Sequence, residues 1–237
     1  MLKKINLSDI LFLDIETVPE VEHFSELDNT KQSLWEAKSQ YQRKEEFTAE
    51  EFYPRAGIWA EFGKIICISV GFFNLQNNAR SFRIRSFSGD EKDLLLAFKD
   101  LVIAHFSKTK HLLCAHNGKE FDFPYLARRM IINGIELPNK LNLFGKKPWE
   151  VPHLDTMELW KFGDYKTFTS LKLLANVLDI PSPKDDIDGS DIYEVYYSEK
   201  NIERIISYCE KDTITVAQVL LRLRGEPLLT VNEIINP

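Results

Sequence analysis

An uninterrupted apolar run that ends in two acidic residues constrains this chain more than any other feature. Residues 10–13 read ILFL, which is typical of a strand buried on both faces of a sheet. Asp14 and Glu16 follow with one residue between them, so both side chains leave the same face of that strand. Neighbouring buried carboxylates raise one another's pKa and are costly unless a cation neutralises them. The pattern therefore predicts a divalent metal site at the end of the first strand.

Composition indicates a globular protein with no global attraction for nucleic acid. Hydrophobic residues make up 44% of the chain and aromatic residues 12%, which is sufficient for a core. The formal net charge is −6, so any nucleic-acid binding has to use a local basic surface. The N-terminal sequence lacks a signal-peptide core, and no segment reaches the roughly 20 apolar residues of a membrane span. We expect a cytoplasmic protein with no membrane partner, whose cysteines are free and buried: Cys67, Cys114 and Cys209.

The order of predicted elements favours an α/β fold. After the first strand, further strands are predicted at 64–73, 80–87 and 111–115. Helices are predicted at about 91–106, from after Gly118 to about Ile132, at 170–178 and at 199–224. Residues 20–62 indicate a helical insertion after the first strand, whereas 135–167 and 181–191 are predicted loops. Together these elements predict one domain over residues 1–237, with a central mixed β-sheet flanked by helices.

Two further acidic segments fall where sites of sheet-based folds are built. Asp122 lies in HNGKEFDFPYL, directly after the predicted strand at 111–115. In the last predicted helix, Tyr208 and Asp212 are four residues apart and therefore stack on one face, beside an apolar stripe. We expect the acids of all three segments to form one site, with the phenol of Tyr208 positioned to orient a bound water.

Each of these residues also has a structural interpretation. Asp14 and Glu16 could face solvent at the end of the strand, and Asp122 could support the N-terminus of a helix. Asp212 could be an ordinary solvated helix residue, and Tyr208 an aromatic ring at the edge of the core. The occurrence of all three segments in one chain favours the functional interpretation.

Taken together, the motifs resemble a known enzyme family. Asp-x-Glu on the first strand, Asn-x3-Phe-Asp at 117–122 and Tyr-x3-Asp at 208–212 are similar to the DEDD 3′–5′ exonucleases. The tyrosine variant (DEDDy) is indicated, because this chain has Ser207 where the histidine variant has its histidine. The wider pattern resembles stand-alone proteins related to the proofreading exonuclease domain of family B DNA polymerases; it comprises FLDIETVP, FGKIICISVG, HNGKEFDFPYLARR, LKLLANVLDIPSPKDDIDGSDI and YCEKDTITV.

The resemblance implies a ribonuclease H-like fold, a cofactor and an activity. Asp14, Glu16, Asp122 and Asp212 would hold two Mg²⁺ or Mn²⁺ ions, and Tyr208 would complete the catalytic set. Oxygen-only ligation fits these hard cations. Paired ions about 3.5–4 Å apart clamp the attacking and leaving oxygens of an in-line displacement. The implied reaction is hydrolysis of the terminal phosphodiester at the 3′ end of single-stranded DNA, which releases 5′-mononucleotides.

Residues near the substrate are also implied by the resemblance. These are Thr17, Asn117, Phe121 and Asp155. Asn117 could equally be a turn residue and Phe121 a core residue. Several basic residues could contact phosphates, although most are expected to be ordinary surface charges; they are Arg128, Arg129, Lys146, Lys147, Lys161, Lys166 and Lys172.

Two other functions fit the same motifs. A 3′–5′ exoribonuclease that trims RNA would share the metal-site residues, because discrimination would depend on how the groove treats the 2′-hydroxyl. A non-catalytic nucleic-acid-binding module of the same fold is the rival from another class. The presence of all four acids counts against that module.

Overall fold

A six-stranded mixed sheet forms the centre of the fold in the computed structural model, which describes residues 2–76, 79–164, 166–181 and 187–236. Its strands are β1 (Ile10–Pro19), β2 (Gly63–Gln76), β3 (Ala79–Ser88), β4 (Leu112–Ala115), β5 (Leu154–Asp155) and β6 (Ile234–Ile235). In space they follow the order β5-β4-β1-β2-β3-β6. β1 pairs antiparallel with β2 and parallel with β4, so the first strand of the sequence lies inside the sheet.

Helices pack on both faces of this sheet. They are α1 (Asn29–Arg43), α2 (Ala49–Phe52), α3 (Glu91–His105), α4 (Asp122–Ile132), α5 (Thr156–Lys161), α6 (Leu171–Val177), α7 (Ile192–Tyr197) and α8 (Ile202–Arg224). No helix in the described ranges is both long and apolar enough to cross a bilayer. The predicted mixed α/β fold with helices flanking a central sheet is therefore confirmed.

The side chains of β1 divide between the two layers of the core. Leu11 and Leu13 pack with residues of α3 and α4, whereas Ile10 and Phe12 pack with residues of α8. All four are 0% exposed, as expected for a strand covered on both faces. Because side chains alternate along a strand, the even-numbered positions that follow Phe12 also point towards α8.

Four short elements escaped the sequence prediction. β5 and α5 lie within the predicted loop at 135–167, α7 precedes the last helix, and β6 adds an edge strand beside β3. Strands of two residues are too short for hydrophobic alternation to reveal, because only pairing with a neighbour defines them. The last helix begins at Ile202, three residues later than predicted. Of the predicted polar loop at 181–191, residues 182–186 lie outside the described residues.

The segment at 20–62 contains α1, α2 and a 3-10 helix over Tyr53–Ile58. Trp35 is 0% exposed and packs within an aromatic cluster of this segment that comprises Phe52, Tyr53, Trp59 and Phe62. Gly57 lies against β1 so closely that a Cβ there would come within 2.9 Å of the Val18 Cα. The Tyr125 hydroxyl donates to the Gly57 carbonyl at 2.7 Å. These contacts attach the segment to the end of β1.

A buried ion pair fastens α3 to α4. Arg129 donates through Nε and one terminal nitrogen to the two carboxylate oxygens of Glu91, at 2.8 and 2.5 Å. Its other terminal nitrogen donates to the Ala60 carbonyl at 2.8 Å, and the Ile65 amide donates to Glu91 at 2.7 Å. The Arg129 side chain is only 7% exposed. Phosphate contact by Arg129, considered from the sequence, is therefore wrong, because its guanidinium is buried and occupied.

Removing Glu91 is expected to destabilise the protein strongly. Glu91→Ala leaves the buried Arg129 charge without its counter-ion, which typically costs about 3–5 kcal/mol in the free energy of unfolding. The matched control is Glu199→Ala, which breaks the more exposed pair with Arg204 and should cost less than about 1 kcal/mol. Urea denaturation of both variants measures the two costs. Equal, small losses would contradict a structural role for the buried pair.

Candidate active site

Three elements carry the predicted carboxylates to one end of the sheet. Asp14 and Glu16 share the face of β1 that packs on α8, because they continue the even-numbered positions after Phe12. Asp122 is the first residue of α4, which follows the parallel neighbour strand β4. Asp212 lies in α8 itself. The apolar layer between β1 and α8 thus ends in acidic residues.

The tightest part of the site is formed by β1 and α8. One carboxylate oxygen from each of Asp14 and Glu16 lies with the Cys209 Sγ in a group whose members are all within 4.8 Å of one another. Asp122 and Asp212 are outside that group, yet their charges raise the pKa of both Asp14 and Glu16. The four predicted acids therefore share one electrostatic site.

Burial makes this site unfavourable for anions. It raises the pKa of Asp14 and of Glu16 well above the usual range, and the neighbouring carboxylates raise them further. Burial also raises the pKa of Asp122 to about 8, with the charge of Asp155 adding to the effect. Within the described residues, no Lys, Arg or His forms an ion pair with Asp14, Glu16 or Asp122. Such a group of acids favours the binding of a cation.

The donor set of the site suits a hard cation. Cys209 is the soft atom in the group, but burial raises the pKa of its thiol and its Sγ donates to the Asp14 carbonyl oxygen at 3.4 Å. A neutral, hydrogen-bonded thiol is a weak ligand compared with a thiolate. The carboxylates remain as ligand atoms, and oxygen ligands are those that Mg²⁺ and Mn²⁺ prefer. The sequence predicts Cys209 only as a free, buried thiol.

Tyr208 keeps its proton at the edge of this site. Burial raises the pKa of its half-buried phenol, and the charges of Asp212, Glu16 and Asp14 raise it further. The phenol donates a hydrogen bond to the Asp212 carboxylate, one turn later on α8. A neutral hydroxyl beside the acids is able to orient a water molecule.

Asn117 occupies a strained turn between β4 and α4. Its φ of 63° is in the left-handed region, and its buried Oδ1 has no hydrogen-bond partner among the described residues. Asp155 holds this turn, because its carboxylate accepts from the amides of Asn117 and Lys119 at 3.0 and 3.1 Å. It also accepts from the amides of Met157 and Glu158 at the start of α5. Asp155 therefore positions the turn that carries Asn117.

Thr17 and Phe121 lie together beside one tyrosine. Both are half-buried, and Tyr125 joins them: it hydrogen-bonds the Thr17 side chain, and its ring centroid is 5.3 Å from that of Phe121. The same hydroxyl donates to the Gly57 carbonyl, so it links α4, β1 and the segment at 20–62. Tyr125 is not among the site residues predicted from the sequence. The four-residue spacing from Phe121, which places both rings on one helix face, was the available signal.

Comparison with known proteins gives consistent matches. A family model described as a predicted 3′-5′ exonuclease related to the exonuclease domain of PolB matches residues 58–226. That range includes Asp122, Tyr208 and Asp212, whereas Asp14 and Glu16 precede it. A DNA polymerase from Pyrococcus glycovorans is 24% identical over 148 residues, which cover 53% of this chain and 19% of the polymerase.

A solved structure shares the fold. The family B DNA polymerase from the hyperthermophilic archaeon Pyrobaculum calidifontis matches with a TM-score of 0.54 and 16% identity, over 90% of this chain and 24% of the polymerase. This likeness agrees with the predicted ribonuclease H-like fold. The chain spans no more than 24% of the length of either polymerase.

The stability of the metal-free protein should fall as pH rises. Acids with raised pKa values bind protons more tightly in the folded state than in the unfolded chain, whose carboxyls titrate near pH 4 (about 3.9–4.3). Their stabilising contribution is complete below that pH and is lost as pH rises through the folded values, which include about 8 for Asp122. Asp14→Asn removes one of the mutually repelling charges, so it should flatten this decline and leave the protein at least as stable as wild type.

Thermal melts in excess chelator across this pH range measure the effect. Asp100→Asn is the matched control, since it makes the same change at an exposed position on α3. Its melting curve should follow that of wild type. A clearly lower melting temperature for Asp14→Asn without metal would instead indicate that Asp14 has a structural hydrogen-bonding role.

Proposed function

Because the chain belongs to the family of predicted 3′–5′ exonucleases related to the exonuclease domain of PolB, we propose that it is a metal-dependent 3′–5′ exonuclease. Its substrate would be single-stranded DNA, and its products 5′-mononucleotides. One observation carries the proposal: burial desolvates Asp14 and Glu16 on β1 and Asp122 on α4, which have no basic partner in the described residues, and the charge of Asp212 on α8 acts on Asp14 and Glu16. The match to a DNA polymerase supports DNA as the substrate.

The carboxylates would hold the metal ions. Asp14, Glu16, Asp122 and Asp212 are the proposed ligands of two Mg²⁺ or Mn²⁺ ions. When bound, such ions activate a water and stabilise charge on the attacking and leaving oxygens of a phosphodiester. Binding of cations would also relieve the repulsion that raises the pKa values of Asp14 and Glu16. The close approach of the buried carboxylates would thus cause both their repulsion without metal and their affinity for metal.

The remaining residues of the site would position the reactants. The neutral phenol of Tyr208, beside Asp212, would orient the attacking water, which corresponds to the tyrosine variant of the DEDD group. The free Oδ1 of Asn117 is a hydrogen-bond acceptor, and we assign it to a hydroxyl of the terminal sugar. Thr17 and Phe121, fixed by Tyr125, would contact the terminal nucleotide. Asp155 would keep the Asn117 turn in place.

Activity is expected to require a divalent metal and to proceed from the 3′ end. We would follow single-stranded DNA and RNA of equal sequence, labelled at either end, with Mg²⁺, with Mn²⁺ and in excess chelator. A block on the 3′-hydroxyl should stop degradation, and Asp14→Asn should abolish it while Asp100→Asn retains it. Preference for the RNA strand would identify the exoribonuclease alternative. Release of mononucleotides from the 5′ end, or full activity in chelator, would refute the proposed function.

Tyr208→Phe should lower turnover without impairing the metal site. A water-positioning group contributes about 100-fold at the low end of acid–base and orienting effects, so we expect a loss of up to about 100-fold in kcat. The dependence of the melting temperature on metal concentration should stay near that of wild type, because the phenol is not a ligand. Tyr196→Phe, which removes another half-buried phenol from α7, is the control. Unchanged kcat in Tyr208→Phe would assign Tyr208 to packing alone.

A further inference from the structure

A groove with an apolar floor and a basic rim runs beside α4. It has a volume of about 310 Å³ and lies between α4 and the segment at 137–151. Its floor includes Ile131 and Phe144, and its basic side chains are Lys119, Arg128 and Lys146. No acidic side chain lines it in the part of the chain that the structure describes. In a chain of net charge −6, this is a local positive surface next to exposed apolar area.

Two large aromatic rings stand in solvent at this groove. Phe144, which lines the groove, and Trp149, which follows the lining residue Pro148 in the chain, are each 74% exposed. The Lys147 ammonium lies 5.3 Å from the centroid of the Trp149 ring. Exposed rings interleaved with lysines are the combination on which successive nucleobases stack while their phosphates meet positive charge.

The groove adjoins a second groove that reaches the Asn117 turn of the proposed site. This second groove of about 390 Å³ is lined by Asn117 and Asp155, and it shares Lys119 and Pro148 with the first. The shared Lys119 pairs with Glu158 at 2.5 Å, and Glu158 is 49% exposed. The Lys119 side chain is only 12% exposed, so its ammonium needs an anion beside it, and a phosphate is able to take the place of the exposed Glu158 carboxylate. A strand whose 3′ end lies near Asn117 therefore has a path to Phe144.

We infer that this basic–aromatic groove binds the single strand on the 5′ side of its terminal nucleotide. Bases stack on Phe144 and Trp149, and phosphates contact Arg128 and Lys146. The inference rests on the proposed function, because that function places the 3′ end beside Asn117. Charge complementarity favours nucleic acid over an apolar protein segment as the occupant. The groove then determines how strongly long substrates bind, whereas the carboxylates determine cleavage.

Binding in excess chelator tests the groove separately from cleavage. Fluorescence anisotropy of a labelled single-stranded dodecamer, as DNA and as RNA, gives the Kd for wild type and for Phe144→Ala/Trp149→Ala. Loss of each stacked base corresponds to a rise in Kd of at least about fivefold. Tyr41→Ala removes an equally accessible ring from α1 and should leave the Kd unchanged. Since all three rings are exposed, the variants should keep the wild-type melting temperature.

Salt dependence tests the phosphate contacts. Arg128→Gln/Lys146→Gln should reduce the slope of log Kd against log salt by about 0.7 for each lost contact with a single strand. The control Lys4→Gln alters an exposed lysine outside the groove and should keep the wild-type slope.

The substrate's length separates the groove from the catalytic residues. In the presence of metal, the aromatic variant should raise KM for the dodecamer while kcat, and both constants for a trinucleotide, stay near wild type. Unchanged dodecamer binding in both groove variants would overturn the inference and assign the groove to another occupant, such as an acidic protein segment. If the groove variants lose dodecamer binding but the wild-type chain cleaves nothing, the proposed function fails; strand binding by the groove then stands, but its position on the 5′ side of a cleaved terminus does not.

Discussion

The repulsion among carboxylates at the end of β1 is the constraint on which the site depends. β1 lies between β2 and β4, its residues 10–13 have no solvent exposure, and its apolar layer against α8 stops at Asp14. The four preceding apolar residues fix the position of the strand so firmly that the acids have no freedom to turn outwards. The core thus stabilises an arrangement that the carboxylates alone would not adopt. Because the fold holds the carboxylates close together, their repulsion would favour the binding of a cation.

A buried ion pair elsewhere in the molecule provides a comparison with the acids of the site. The Arg129 and Glu91 side chains are only 7% and 11% exposed, but they form two hydrogen bonds with each other, and the Ala60 carbonyl and the Ile65 amide bond them as well. Asp14 and Glu16 have no such cationic partner in the described ranges. Because the fold pairs the buried charges of Arg129 and Glu91, the lack of such a partner for Asp14 and Glu16 is consistent with a cation that binds from solution. Perturbed carboxyls of this kind cluster at functional sites.

Sequence reasoning succeeded where the chemistry follows from local spacing. Asp14 and Glu16 are two residues apart on β1, so they occupy the same face of the strand. Tyr208 and Asp212 are four residues apart on α8, so they occupy the same face of the helix. It failed where a role depends on pairing at long range. β5 exists only because two residues reach β4, and the burial of Arg129 depends on Glu91, thirty-eight positions earlier in the chain. Nothing in the residues around either position encodes those partners.

One neutral histidine attaches the loop beside α4 to the sheet. Burial lowers the pKa of His153 to about 4, so the ring is uncharged above that pH. Its Nδ1 accepts from the Leu113 amide at 3.2 Å, which leaves the proton on Nε2 to donate to the Lys140 carbonyl at 2.7 Å. The ring thereby ties both ends of the segment that carries Phe144 and Trp149 to β4, the strand that leads into Asn117. If these rings bind a strand as inferred, the two hydrogen bonds of His153 would reduce the cost of ordering the loop.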